Sequence, residues 1–177
     1  ADVMTALGAA TASSTDEIAA GLEKFAAVSN TVGLSYEYAT SALATVTATT
    51  RQSADVVGTA FKTLFARIQD LELGKTLDDG TTLGKYSQAL ETVGISIKTA
   101  DGGLREMDDI LSDLGEKWNS FDAEGNPLIS DDAKVALAQT VAGVRQYTQL
   151  IALMDNWDFM KENLETARNA VGTLNEQ

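Results

Sequence analysis

The sequence predicts an all-α fold: a multi-helix module of about eight helical segments with one small β-hairpin near residues 95–106. Three observations predict it. Only one residue of 177 is proline, Pro127, and helix interiors tolerate little proline. Polar capping residues stand repeatedly just before apolar residues at helical spacing. Hydrophobic residues make up 44% of the chain but aromatics only 6%, so the apolar content leans on Ala, Leu and Val, which suit closely packed helices.

The elements follow in order. Asp2 to Ala10 reads as the end of a helix. Ser13 and Ser14 announce the next, with Ser14 and Glu17 at capping-box spacing and Asp16 beside them in the first turn, where the helix dipole favours acids. Ile18, Leu22, Phe25, Ala26 and Ser29 share its face, and Gly33 ends it. Ser35 caps a third helix through Ala39, Ala42, Leu43 and Val46. Thr45, Thr47, Thr49 and Thr50 are expected to weaken its end, because β-branched residues lose rotamer freedom in a helix. Ser53 caps the clearest helix, whose stripe of Val57, Ala60, Phe61, Leu64, Phe65, Ile68 and Leu71 marks it as a central core element.

Gly74 to Gly84 is a polar loop around the turn signal Asp78-Asp79-Gly80. A short helix through Tyr86, Ala89, Leu90 and Val93 closes at Gly94. Ile95-Ser96-Ile97, a turn at Asp101-Gly102-Gly103 and the return through Leu104-Arg105-Glu106 predict the hairpin, which must rest on helices because a lone hairpin is marginal in water. Asp108 and Asp109 open a helix with Leu111, Leu114, Trp118 and Phe121 inward. A loop from Phe121 to Ile129 leads to Ser130, which caps a helix with Val135, Ala138 and Val141 on one side. Gly143 kinks or breaks the path before Tyr147, Leu150, Ile151 and Met154. Asn156 begins a terminal helix through Phe159, Met160, Leu164, Ala167, Ala170 and Val171. No heptad persists, so this is not a simple coiled coil.

Net charge is −13 with a pI near 4.2. That argues against binding a nucleic-acid backbone or anionic lipid, both of which need Lys and Arg. With no cysteine and no histidine, disulfides, thiolate metal sites and the commonest general base are excluded. The strongest apolar patch, Leu150 to Met154, is far too short to span a bilayer. The chain opens on Ala1 without a charged region ahead of an apolar stretch, so it reads as a piece of a larger protein without a signal peptide. Two sub-modules are expected within it, 1–73 with the N-terminal helices and 84–177 with the hairpin and C-terminal helices.

The candidates for chemistry are few. Asp109, Asp113 and Glu116 fall on one helix face, where a metal or an acid–base pair could be held, although such a face is ordinarily solvated. Asp122-Ala123-Glu124-Gly125-Asn126 resembles part of a calcium loop, but its glycine falls early and the twelfth position is Ala133 rather than Glu. Asp78-Asp79-Gly80 reads as a plain turn. No phosphate-binding glycine loop and no nucleophile elbow occurs. Trp118 belongs to the core; Trp157, at a helix start between Asn156 and Asp158, is the better candidate for an exposed or interface aromatic.

The order of the segments carries a resemblance. Asp2-Val3-Met4, Ala6-Leu7 and Ala9-Ala10 followed by Ala12-Ser13-Ser14, then Gly21-Leu22 to Ala26 and Gly33-Leu34-Ser35 with Ala39, lead to the stretch Gly58-Thr59-Ala60-Phe61-Lys62-Thr63-Leu64-Phe65-Ala66-Arg67-Ile68. Leu90-Glu91, Val93-Gly94-Ile95, Asp101-Gly102-Gly103-Leu104-Arg105, Leu111 and Leu114, Val141-Ala142-Gly143-Val144-Arg145, Leu150-Ile151-Ala152-Leu153 and Asn169-Ala170-Val171-Gly172-Thr173 continue it. Taken together they resemble the conserved region of phage tail tape measure proteins. No single motif is specific; the ordered set is. The acidic turn in the Leu73–Leu83 loop and the long Phe121–Ile129 loop depart from the family's pattern and suggest a subgroup with distinct contacts.

The resemblance implies a structural, non-enzymatic protein that determines tail length and occupies the tail tube lumen before DNA ejection. It implies contacts with tail tube protein, tail assembly chaperones, tail tip proteins and further copies of itself, in the virion and, during assembly, in the host cytoplasm. It carries over no catalytic, cofactor or metal residue. A continuous helix of this chain would span ~265 Å, but the caps and glycines forbid that, so the segment is expected to be a jointed module of a longer ruler. A generic helical interaction module of another assembly is the alternative. A carboxylate-based glycan hydrolase is a further one, and it would need two facing acids in a cleft. The acidic charge further suggests a surface that lets DNA slide past without sticking.

Overall fold

The computed structural model describes residues 2–10 and 14–176, and it leaves the side chains of residues 2, 8–10 and 171–176 undescribed. Ala12 and Ser13 of the opening match and the side chain of Val171 therefore lie outside the described part. Among the described residues the chain forms nine helices. They are α1 (Asp2–Ala10), α2 (Thr15–Val32), α3 (Tyr36–Thr50), α4 (Ala54–Glu72), α5 (Leu83–Glu91), α6 (Met107–Trp118), α7 (Asp131–Ala142), α8 (Tyr147–Asp155) and α9 (Trp157–Glu176).

Local chemistry explains the boundaries. Ser14, Ser35, Ser53 and Ser130 each sit in extended backbone, and each side chain accepts the N–H three residues on. Thr82 does the same for α5. These bonds satisfy donors that a helix start otherwise leaves open. Gly33 adopts a left-handed conformation at φ 87° and ends α2. Gly143, at φ 85°, separates α7 from α8.

The packing is built around α3. Ten consecutive residues, Tyr38 to Thr47, are buried, with α1, α2, α4, α8 and α9 all in contact with it. Helix α4, the expected core element, buries the predicted stripe and touches α2, α3, α5, α7 and α8, packing mainly on α2. The threonines expected to weaken the end of α3 are helical up to Thr50, its last residue. The hydroxyls of Thr40, Thr45, Thr49 and Thr50 donate to carbonyls four residues back at 2.6–2.8 Å. The bonds satisfy the hydroxyls of Thr40 and Thr45, which are buried, and short side chains let five helices approach one. Asn163 of α9 adds a buried bond from Nδ2 to the Thr45 hydroxyl at 3.0 Å.

The two helices that cross most closely, α2 and α4, meet at Gly21 and Gly58 and then through Phe25, Phe61 and Phe65, with the Phe25 and Phe61 rings 5.4 Å apart edge to face. Helix α1 lies along α9, α6 on α8, and α5 on α7 and α4. One cluster of buried apolar residues runs from Val3 to Ala167.

Four expectations are corrected. The hairpin at 95–106 is not formed: among the described residues there is no strand, and Lys98 and Leu104 make a single antiparallel bridge. Its neighbours are already committed. The Ile95 N–H donates to the Leu90 carbonyl and so finishes α5, while Glu106 is the N-cap of α6. No residues remain to extend a ladder. Phe121 is not inward; α6 stops at Trp118, and Phe121 is 66% exposed and bridges Pro127 instead. Val135 lies off the buried face of α7, which consists of Leu137, Ala138, Val141 and Ala142. In α2, Ala26 faces outward beside the buried Phe25.

Candidate functional site

Of the acids singled out in the sequence, Asp109 and Asp113 line one open pocket with Arg105 and Glu106, while Glu116 is not part of that lining. Asp113 pairs with Arg105 at 2.6 Å. Glu116 accepts from Lys161 at 3.3 Å and from the Trp157 indole N–H at 3.2 Å. No group of three or more acidic side chains that could hold a metal occurs among the described residues. In the calcium-like loop, the Asp122 carboxylate accepts the Glu124 and Asn126 N–H groups at 3.0 and 2.8 Å. That oxygen is spent on closing the turn. Trp118 is core as expected, with its N–H on Asp155 at 2.7 Å.

Trp157 is not the exposed aromatic the sequence suggested. It is 3% exposed and lies flat on Gly115, where a Cβ would stand 2.0 Å from the ring. A residue at a helix start is placed by what that start packs against, and here α6 presents a glycine to receive it.

A half-buried polar joint ties the start of α6 to the turn between α2 and α3. The Asp108 carboxylate accepts the Ser35 N–H, both oxygens at 3.2 Å, and the Asp108 N–H donates to the Gly33 carbonyl at 3.1 Å. Burial raises the Asp108 pKa to about 6 against the lowering effect of the Ser35 bond. Nearby, burial and then the Glu106 charge push Glu72 up to about 7. Glu106 itself lies over Gly33, where a Cβ would collide with its carboxylate. Asp108 thus ties the start of α6 to the turn between α2 and α3.

An open cleft of about 1130 Å³ lies between the outer face of α4, the loop at 75–79 and the turn from Ala142 to Gln146. Arg67 is its centre. One guanidinium nitrogen donates to Asp79 at 2.8 Å, and the other to the Thr81 hydroxyl and the Thr140 carbonyl, each at 3.0 Å. The planar fork thus joins α4, the loop and the end of α7. The loop's own bonds to Thr81, with help from Arg67, hold Asp79 down at about 2. The acidic turn Asp78-Asp79-Gly80 is therefore a structural clasp. Lys62, Lys75 and Arg145 also line the cleft. Lys75 pairs with Asp70 at 3.2 Å, whereas neither Lys62 nor Arg145 is paired with a carboxylate among the described residues. In a chain of charge −13 this gathering of cations is a local exception. In the sequence Arg67 stands out only as part of the Gly58–Ile68 stretch, because its partner Thr140 is 73 residues away.

Together, the nine helices, built around α3, define an all-helical domain among the described residues. The chain belongs to the phage-related minor tail protein family, whose model matches residues 1–131. It is thus a structural phage tail protein, associated with the virion and with partners among tail components. No solved structure matches it. No helix among the described residues is long and apolar enough to cross a membrane.

Proposed function

We propose that this chain is a module of a tape measure protein, the component that sets tail length and fills the tail tube lumen before DNA is ejected. Family membership over residues 1–131 is the observation that carries the reading, and the ordered segments from Asp2 to Thr173 support the narrower identification. The longest helix here, α9, has 20 residues and spans ~30 Å. A domain of short capped helices is a jointed node, so the measuring length belongs to other stretches of the parent chain. The tail tube protein, the assembly chaperones, the tail tip and further copies of the chain are the partners this role requires. The domain is taken as non-catalytic, since Asp113, Glu116, Asp79 and Asp122 are each engaged in structural bonds.

The test is genetic. In-frame deletions in helical stretches of the parent gene outside this domain are expected to shorten tails by ~1.5 Å per residue removed, measured by electron microscopy. Deleting this domain is expected to block assembly rather than to shorten tails in proportion. Normal tails of unchanged length from the first set of deletions would sink the reading.

A further inference from the structure

We propose that two surfaces at opposite ends of α7 bind one another between copies of this chain, the loop at 120–129 of one copy seating in the Arg67 cleft of the next.

The loop is built as a knob. Phe121 bridges Pro127, the Leu128 N–H donates to the Ser120 carbonyl, and Asp122 holds the turn with Gly125 at φ 85°. Its backbone is thus bonded internally, and Ile129 anchors it in the core. A rigid loop loses little freedom on binding. Yet Phe121 and Leu128 are 66% and 52% exposed. Large exposed apolar groups on a fixed frame are the usual anchors of interfaces. Around them stand Asp122, Glu124, Asp131 and Asp132. The one cation of this stretch, Lys134, sits 5.4 Å from the Trp118 ring centroid, and Glu124, Asp131 and Asp132 have no ion-pair partner among the described residues.

The cleft is the complement in charge, and it is open to solvent, as Phe121 and Leu128 of the loop are. Leu77 and the exposed Val144 offer apolar walls, and Lys62 and Arg145 stand uncommitted at its sides. Asp70 and Asp79 are spent on Lys75 and Arg67, which leaves Asp78 as the lining's unpaired acid. A net charge of −13 opposes self-association at long range, so a contact between copies needs opposite charges placed locally, as they are here.

Position makes the contact directional. Helix α7 starts beside the knob and ends at the cleft, and its 12 residues span ~18 Å. A copy cannot fill its own cleft across the length of α7. Each copy therefore offers one knob and one cleft, a heterologous arrangement that builds a ring or a string of copies rather than a symmetric pair.

Sedimentation velocity on the purified chain tests this over a wide concentration range. The cleft variant is K62E/R145E and the knob variant F121S/E124K; all four side chains are exposed, and circular dichroism checks that both variants stay folded. The wild-type chain is expected to form species larger than a dimer as concentration rises. Each variant alone is expected to lose that association. Mixed together they are expected to form one-to-one dimers that grow no further, because each supplies the surface the other lacks. A wild-type chain that stays monomeric, a variant that still associates by itself, or a mixture that does not pair would each overturn the proposal. The measurement needs no tail, so its failure would remove this contact between copies, while the tail-length reading stands or falls by the deletion test.

Discussion

Gly58 of α4 lies against Gly21 of α2 so closely that a Cβ at position 58 would stand 2.3 Å from the Gly21 carbonyl oxygen. The reverse is as tight: a Cβ on Gly21 would stand 2.5 Å from the Ala54 carbonyl oxygen. Both obstacles are backbone, so neither can swing aside. Gly58→Ala would normally favour a helix, but here it must push two helices apart and loosen Phe25 from Phe61 and Phe65. The expected result is a loss of about 1–3 kcal/mol, read from the denaturation midpoint in urea. A stability equal to or above wild type would show that α2 and α4 do not cross at these glycines.

Trp157 joins α9 to α6 by the face of its ring on Gly115 and by its N–H on Glu116. Trp157→Ala removes a fully packed side chain and is expected to cost about 3–5 kcal/mol. Gly115→Ala attacks the same contact from the other side. In that variant the indole is displaced, and its fluorescence is expected to move to longer wavelength as water reaches it. With Trp118 replaced by Phe as a background, the signal reports Trp157 alone. An unshifted spectrum in the Gly115→Ala variant would contradict the packing.

Stability is expected to fall as pH rises from 5 to 8. Burial holds Asp108 at about 6 and Glu72 at about 7 in the folded chain, above the ordinary carboxylate range. A raised folded pKa means that the folded state holds protons the unfolded state has released. That contribution is complete below about pH 4 and is lost as pH climbs through 6 and 7. Asp79, held at about 2, acts in the opposite sense, and its contribution is lost as pH falls from about 4 toward 2. Self-repulsion of the −13 charge changes in the same direction as the first effect, so the specific control is Glu72→Gln. That variant is expected to flatten the dependence between pH 6 and 8 while leaving the lower part in place. Urea midpoints that do not drop between pH 5 and 8 would rule this account out.

The acidic surface is expected not to bind DNA. Four of the 13 cations line one cleft, and the remaining surface carries the excess of carboxylates. A gel-shift titration with duplex DNA at physiological salt is expected to show no complex. Saturable binding there would defeat the idea that DNA slides past this protein without sticking.

Much of the local structure was legible in the chain. Ser14, Ser35, Ser53 and Ser130 announce helix starts because the capping bond is made three residues away, within reach of a short window. The α4 stripe from Val57 to Leu71 and the stop at Gly33 are local for the same reason. Tertiary structure decided the rest. The burial of Thr45 and Thr47 could not be read locally, because it depends on the five helices that pack on α3. Trp157 read as exposed because nothing near it in sequence reveals Gly115. Ile95 to Glu106 had a hairpin's turn signal, but the ends of α5 and α6 claimed the residues a ladder would use. The cleft was equally hidden, since Arg67 and Thr140 meet only when α4 packs on α7. The sequence by itself determined an acidic, capped, helical chain without cysteine or histidine. Only the packing of distant segments decided which faces are buried, where the cations gather and that Phe121 stands in solvent, because those outcomes depend on contacts no local pattern contains.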